Sequence, residues 1–223
     1  MKVAVIGACG KLGSLIVEEL QKNNFNVLKI DSTLNNYLQS SSQVIAVIDA
    51  SHPSASLNCA KYCSQQNIPL LIACTGHTKE QKSQIHNECK NIAYCICPNL
   101  SIGMLFVMQT LMYLPLLSHE QIQIIETHHI NKKDKPSGTA LALKQKIEKC
   151  GKKVTKITSI RNGSEIGTHT VSITLPHEEI TITHKALNRN IFAIGAKEAI
   201  KKLLVLPPGE YTLLKLLGDC HET

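Results

Sequence analysis

Hydrophobic positions fall along this chain in two different rhythms. Over the first hundred residues they come as short runs, unbroken at 3–6, 44–48, 69–74 and 92–97 and interrupted by Asn26 and Lys29 at 25–30. Runs of that length read as strands buried on both faces, as in parallel sheets. Between them the spacing is helical. Leu12, Leu15, Ile16 and Leu20 mark one face of a helix, and 54–66 and 78–90 fit two more. Residues 32–42, rich in serine and asparagine, form a connection without a helical pattern. Strands alternating with helices predict an α/β fold with a Rossmann-like, doubly wound parallel sheet.

From residue 120 the rhythm changes to alternation. Ile122, Ile124 and Ile125 interleave with glutamines, and 154–160 reads as a poorer strand ending at Arg161. His169, Val171, Ile173 and Leu175 then alternate with Thr170, Ser172 and Thr174. After a turn at Pro176, Ile180 and Ile182 alternate with Thr181 and Thr183. Period-two alternation predicts a mixed or antiparallel sheet with one buried and one threonine-rich face. Ala140, Leu143 and Ile147 recur at helical spacing, so a helix packs on one face while the other can meet a second subunit. Phe192, Ala196, Ala199, Ile200 and Leu203 mark a late amphipathic helix that returns to the first domain. The expected division is a dinucleotide-binding domain, 1–102 and 190–223, and an α+β substrate-binding and oligomerisation domain, 103–189.

The most apolar stretch, 102–117, is interrupted by Gly103, Gln109 and Pro115 and is short for a membrane span. Ser101 can cap a helix running through Leu114, whose few polar residues predict burial between the domains.

Composition narrows the function. The formal charge of +7 invites a nucleic-acid reading, but the lysines are scattered and only two arginines occur, Arg161 and Arg189. Tryptophan is absent and aromatics make up 4%, which argues against a base-stacking platform. An enzyme acting on small anionic ligands accounts for the charge equally well. The nine cysteines lack metal-ligand spacing and read as reduced core residues, with no metal site. The chain starts directly in a strand, so the expectation is a soluble, cytoplasmic protein without membrane partners.

Two segments carry chemistry. The first follows the opening strand: Gly7-Ala8-Cys9-Gly10-Lys11-Leu12-Gly13, leading into a helix. Strand, glycine turn and helix in that order are the setting of a dinucleotide fingerprint. The spacing is Gly-x-x-Gly-x-x-Gly, with Cys9 at the usual second glycine. Asp31 lies 18 residues beyond Gly13, where an acid can hold the adenosine ribose. The second segment runs from Glu126 to Ala140. It puts His128 and His129 at a strand end, then Lys132, then Pro136 and the helix start Ser137-Gly138-Thr139. A helix start with hydroxyls and a cation nearby suits a small anionic substrate, and an imidazole beside it can deliver a proton.

Glu-Thr-His-His-x-x-Lys-x-Asp-x-Pro-Ser-Gly-Thr-Ala resembles the signature of the dihydrodipicolinate (4-hydroxy-tetrahydrodipicolinate) reductases, NAD(P)H enzymes of lysine and diaminopimelate synthesis. The likeness extends to Gly7–Gly13, to Cys74-Thr75-Gly76 near the nicotinamide and to Pro98-Asn99-Leu100-Ser101. It continues through Arg161-x-Gly-x-x-x-Gly-x-His169, Thr183-His184-Lys185-Ala186, Arg189 and Phe192-Ala-x-Gly-Ala196. It implies His128 as proton donor, Lys132 as its charged partner, and His129, Ser137, Gly138 and Thr139 as carboxylate binders. The implied cofactor residues are Gly7 to Gly13, Asp31, Cys74 to Gly76, Pro98 to Leu100, Arg189 and Phe192. The resemblance also implies a homotetramer. The chain departs from the pattern at Ala73-Cys74, at Ser51-His52-Pro53, where an arginine often precedes the proline, and at Leu100. Asp31, with no arginine or lysine just after it, favours NADH over NADPH. Another imine or amino-acid dehydrogenase and an inactive nucleotide-sensing homologue remain open alternatives.

Overall fold

The computed structural model describes residues 1–31, 43–118 and 120–218. The expected connection over 32–42 lies outside them. The chain divides into two compact units, Met1–Ser101 with Arg189–Thr223, and Ile102–Asn188.

The first unit opens with β1 (Lys2–Ile6), α1 (Lys11–Lys22), β2 (Val27–Ile30) and β3 (Val44–Asp49). It continues through α2 (Pro53–Gln66), β4 (Leu70–Ile72), α3 (Lys79–Glu88) and β5 (Ala93–Ile96). Val3, Ala4 and Val5 are completely buried, as are Leu70, Leu71 and Ile72, which explains why these strands carry no alternation. Helix α1 buries Gly13, Ile16, Val17 and Leu20, a stripe at helical spacing. Thr78 and Gln81 form a reciprocal capping box at the start of α3. His52, one of the departures from the family pattern, is the N-cap of α2 and accepts from Ser54 N–H.

The second unit begins with α4 (Ile102–Thr110) and a 3₁₀ turn over Leu111–Leu116. This corrects the expectation of one continuous α-helix through Leu114. Pro115 lies inside the tighter turn. Its ring cannot follow an α-helical turn and it has no N–H to donate. Met104, Val107, Leu111 and Leu114 are buried in the core of the second unit. Next come β6 (Gln121–His128), α5 (Gly138–Lys149), β7 (Val154–Arg161), β8 (Thr168–Thr174) and β9 (Glu179–Lys185). Their sheet runs β7-β6-β8-β9, with β6 parallel to β7 and the other pairs antiparallel. One face packs with Ala140, Leu143 and Ile147 of α5. On the other face Thr170 and Thr183 hydroxyls meet at 3.1 Å.

The chain then returns to the first unit with α6 (Asn190–Leu203), β10 (Gly209–Glu210) and α7 (Leu213–Leu217). The first sheet is parallel throughout, in the order β2-β1-β3-β4-β5-β10. The strand order reverses between β1 and β3, and ligands of open α/β sheets bind at such a point beyond the strands' carboxyl ends. The sixth strand escaped the sequence because two residues cannot carry a hydrophobic run. Among the described residues no helix is long and apolar enough to cross a membrane.

Candidate active site

In the first unit the turn after β1 lies at that reversal. Gly7 has φ of +76°, and a Cβ there would meet Ala50 O and Ser51 Cα at 2.9 Å, atoms of the loop after β3. A Cβ on Gly13 would stand 1.9 Å from Gly7 O. Both glycines are therefore demanded by backbone approach. Gly7 N–H bonds to Ile30 O and Gly10 N–H to Gly7 O, but α1 has no side-chain cap at Gly10. The N–H groups of Lys11, Leu12 and Gly13 thus stand at an uncapped helix start, the arrangement that receives a phosphate. The loop fits the diphosphate of a dinucleotide.

Asp31 directly follows β2, beside this turn. Its carboxylate accepts from Cys9 N–H at 2.5 Å and from the Cys9 thiol at 2.6 Å. Those hydrogen bonds hold the Asp31 carboxyl below its usual range and push the Cys9 thiol up. Cys9 is exposed, unlike the six cysteines that are buried among the described residues, so the expectation of a core role for every cysteine fails there.

A cavity of about 200 Å³ lies at the ends of β4 and β5. Cys74, Thr75, Gly76 and Pro98, which the resemblance implies as cofactor residues, line it together with Ile96 and with His77, Lys82 and Glu210, to which the sequence reading gave no role. Behind it the fully buried Asp49 accepts from Ser51 Oγ (2.5 Å) and Ser56 Oγ (2.6 Å), and His77 Nε2 is 2.8 Å from Ser56 Oγ. Burial pushes the Cys74 thiol up to about 12, so it stays protonated. Leu100, Arg189 and Phe192 do not line this cavity. Leu100 is buried, and a Cβ on Gly195 would be 1.8 Å from its carbonyl oxygen, which accounts for the glycine in the Phe192–Ala196 motif. Arg189 and Phe192 sit in the first turn of α6, linked by Phe192 N–H to Arg189 O.

The second unit gathers a polar cluster at the end of its buried face. Alternation along β6 turns Ile122, Ile124, Glu126 and His128 the same way. The apolar core thus runs directly into a carboxylate and an imidazole. Glu126 is fully buried. One of its oxygens meets His128 Nδ1; the other accepts from Arg161 Nη2 at 2.9 Å and Ser137 N–H at 3.3 Å. A buried carboxylate without such partners would cost several kcal/mol. Burial pushes Glu126 up, but hydrogen bonds from Arg161, Ser159 and His128 outweigh it, and its pKa falls below the ordinary value. His128 is held below the ordinary imidazole range by burial, with Glu126 opposing. His169, opposite Glu126 on β8, stacks edge-on to His128 at 5.0 Å between ring centres. Its Nε2 is 3.1 Å from Ser137 Oγ, and burial lowers its pKa to about 4.

The helix start beyond is occupied by the protein's own groups. Ser137 Oγ accepts from Ala140 N–H as the N-cap of α5. Asp134's carboxylate lies 2.8 Å from Lys132 Nζ. Burial pushes Asp134 up, but the Lys132 hydrogen bond, with backbone bonds including one from Gly138 N–H, brings it below its usual range. A Cβ on Gly138 would meet nothing within 4 Å, so this helix start faces open space. His129 is half-buried, and its carbonyl closes a turn on Lys132 N–H. Among the described residues, no hydrogen bond or ion pair brings its imidazole into the cluster with His128. Glu126, Arg161, His169 and Asp134 are the members that sequence reasoning quoted without a role. The i, i+2 spacing of Glu126 and His128 on a strand was the available signal. Donor atoms of Glu126, His128 and His169 lie within 4.8 Å of one another, the cation against the carboxylate being the Arg161 guanidinium.

Comparison with known proteins decides the family. The family model described as "Dihydrodipicolinate reductase, N-terminus" matches residues 1–100, and "Dihydrodipicolinate reductase, C-terminus" matches 103–217. The chain belongs to the dihydrodipicolinate reductase family. A 4-hydroxy-tetrahydrodipicolinate reductase of Bdellovibrio bacteriovorus is 31% identical over 221 residues, covering 97% of this chain and 96% of that one. Its counterpart in Thermosipho africanus is 32% identical over 221 residues, with 98% and 99% covered. Among solved structures, the dipicolinate-bound dihydrodipicolinate reductase of Paenisporosarcina sp. TG-14 superposes with a TM-score of 0.80 at 21% identity, covering 97% of this chain and 99% of its own. At that identity the likeness speaks for the fold.

Proposed function

We propose that this chain reduces 4-hydroxy-tetrahydrodipicolinate (dihydrodipicolinate) to tetrahydrodipicolinate in lysine and diaminopimelate biosynthesis. A reduced pyridine nucleotide, when bound, supplies the hydride. Loss of water from the 4-hydroxy compound leaves a carbon–carbon double bond conjugated to an imine, and reducing that bond by hydride also requires a proton at the neighbouring carbon. His128 donates it; the observation that carries this role is its place on β6, against buried Glu126 and near Lys132 on the loop that leads to α5. A substrate carboxylate takes over the Lys132 ammonium and the Gly138 N–H from Asp134, with Thr139 beside them. Ser137 contributes by fixing the helix start, since its hydroxyl already accepts from Ala140 N–H and meets His169. His129 offers an imidazole hydrogen bond to a substrate carboxylate. The Paenisporosarcina reductase was solved with dipicolinate, a dicarboxylate of this kind.

Gly7 to Gly13 seat the diphosphate, and Cys74, Thr75, Gly76, Pro98 and Asn99 border the nicotinamide. Leu100, Arg189 and Phe192 support that side. Asp31 favours NADH, because its ionised carboxylate accepts from ribose hydroxyls and repels a 2′-phosphate. A several-fold higher kcat/KM for NADH at matched ionic strength is expected, and a clear NADPH preference would refute the role of Asp31. The working form is a cytoplasmic homotetramer. The decisive assay follows nucleotide oxidation with freshly generated substrate. Substrate-dependent turnover is expected; turnover only with some other imine or oxo acid would point to a different dehydrogenase.

A further inference from the structure

We propose that Glu126, backed by Arg161, is the positioning residue that sets which nitrogen of His128 carries the donated proton. The proposal rests on the reading of His128 as proton donor and deepens it. An ionised carboxylate only accepts hydrogen bonds. With Glu126 against Nδ1, that nitrogen keeps its hydrogen in both the neutral and the cationic ring, and the donated proton resides on Nε2. Nε2 is given room by Gly167, where a Cβ would stand 2.9 Å from it.

The charged and titratable groups facing His128 come from every element around it. Glu126 lies on its own strand, Arg161 on β7, His169 on β8 and Lys132 on the loop beyond. Of these, Glu126 favours the imidazolium, while Lys132 and Arg161 oppose it. Arg161 has a second task. Besides Glu126 Oε1 it reaches the carbonyls of Lys132 (3.2 Å from Nε), Asp134 and Ile160 (2.7 Å from Nη1). One guanidinium therefore keeps Glu126 ionised and ties down the segment that carries Lys132. The proton donor and its charged partner are set by the same buried pair.

Glu126→Gln tests this in the full chain with cofactor. Arg161 Nη2 and Ser137 N–H both need an acceptor at Oε1, so the amide must turn its oxygen to them and its NH₂ to His128 Nδ1. The neutral imidazole then carries its hydrogen on Nε2, and the imidazolium faces N–H against N–H. The expected loss in kcat is roughly 10²–10⁴-fold, the range for a misdirected acid–base histidine. The pH above which kcat declines should move downward, with the nucleotide bound as tightly as before. Glu126→Asp, which keeps the charge, should recover part of both. Imidazole ¹⁵N spectra, assigned with His128→Gln, should show His128 as the Nδ1–H tautomer in the unmodified protein. That spectrum decides the matter even if a variant fails to fold. An Nε2–H tautomer there, or an unchanged pH profile in Glu126→Gln, overturns the proposal while leaving His128 as donor. Full turnover in His128→Gln overturns the donor reading and this proposal with it.

Discussion

The two glycine-bearing helix starts of this protein solve opposite problems. At α1 the N-cap is Gly10, no side chain caps the helix, and Gly7 and Gly13 are forced by backbone contacts as close as 1.9 Å. At α5 the cap is Ser137, and the first-turn region is filled by side chains. Ser137 Oγ holds Ala140 N–H, Glu126 holds Ser137 N–H, and Asp134 holds Gly138 N–H. Yet a Cβ added to Gly138 would meet nothing within 4 Å, so space is left beside these groups. A bare start offers only backbone N–H groups and the helix dipole, which suits a phosphate that must be gripped but not changed. A start furnished with carboxylate, imidazole and ammonium suits an anion that must also react. Binding without chemistry needs glycine; chemistry needs neighbours.

The sharpest way to break this contrast is to remove the imidazole. His128→Gln should lower kcat by about 10²–10⁴, the usual contribution of a positioned general acid. Nucleotide affinity, measured by fluorescence titration, should not move. Thr139→Val comes next. It keeps the shape of the α5 start but deletes a hydroxyl donor to a substrate carboxylate, worth roughly 1.5–3 kcal/mol. The substrate KM should rise about ten- to a hundredfold at constant nucleotide KM, and an unchanged substrate KM would place the carboxylate elsewhere. The smallest effect concerns acid. His169 stays neutral in the fold until about pH 4, whereas an unfolded histidine protonates nearer its ordinary value of about 6.5. Its folded pKa is depressed, so the unfolded chain binds more protons between those limits. The stability it contributes is present above pH about 6.5 and is lost as pH falls towards 4. Hydrogen exchange in β8 and α5 should quicken over that window and do so less in His169→Gln. An equal response in both proteins would remove His169 from the account.

Much of this was legible in the chain because the patterns are local. Unbroken apolar runs specified the parallel sheet, alternation specified the second sheet, and the glycine turn sits where strand and helix periods meet. Pro115 was visible too, yet its consequence, a 3₁₀ turn in place of a continued helix, was not drawn from an apolar stretch that looked uniform. The two-residue β10 lay below any periodic signal. In the site, His128 and Lys132 stood out by residue type. Glu126 did not, because a strand acid ordinarily faces solvent, and here alternation carries it inward beside Ile124. Its partners Arg161 and His169 lie 35 and 43 residues further along the chain, and only the pairing of β6 with β7 and β8 brings them in. Asp134 on the α5 start was hidden for a related reason: spacing shows that a helix start can bind an anion, not that the protein supplies one.

The contrast itself is tested most directly by the same substitution at both starts, Gly13→Ala and Gly138→Ala, with the KM for nucleotide and for substrate measured on each. At Gly13 the added methyl meets the Gly7 carbonyl, which has no flexible side chain to yield. Overpacking of about 1–3 kcal/mol should appear as roughly a ten- to hundredfold weaker nucleotide interaction. At Gly138 the methyl enters open space, so the protein should fold as before and keep its nucleotide KM while the substrate KM rises. Gly13→Ala with an unaltered nucleotide KM, or Gly138→Ala weakening nucleotide rather than substrate, would contradict the account.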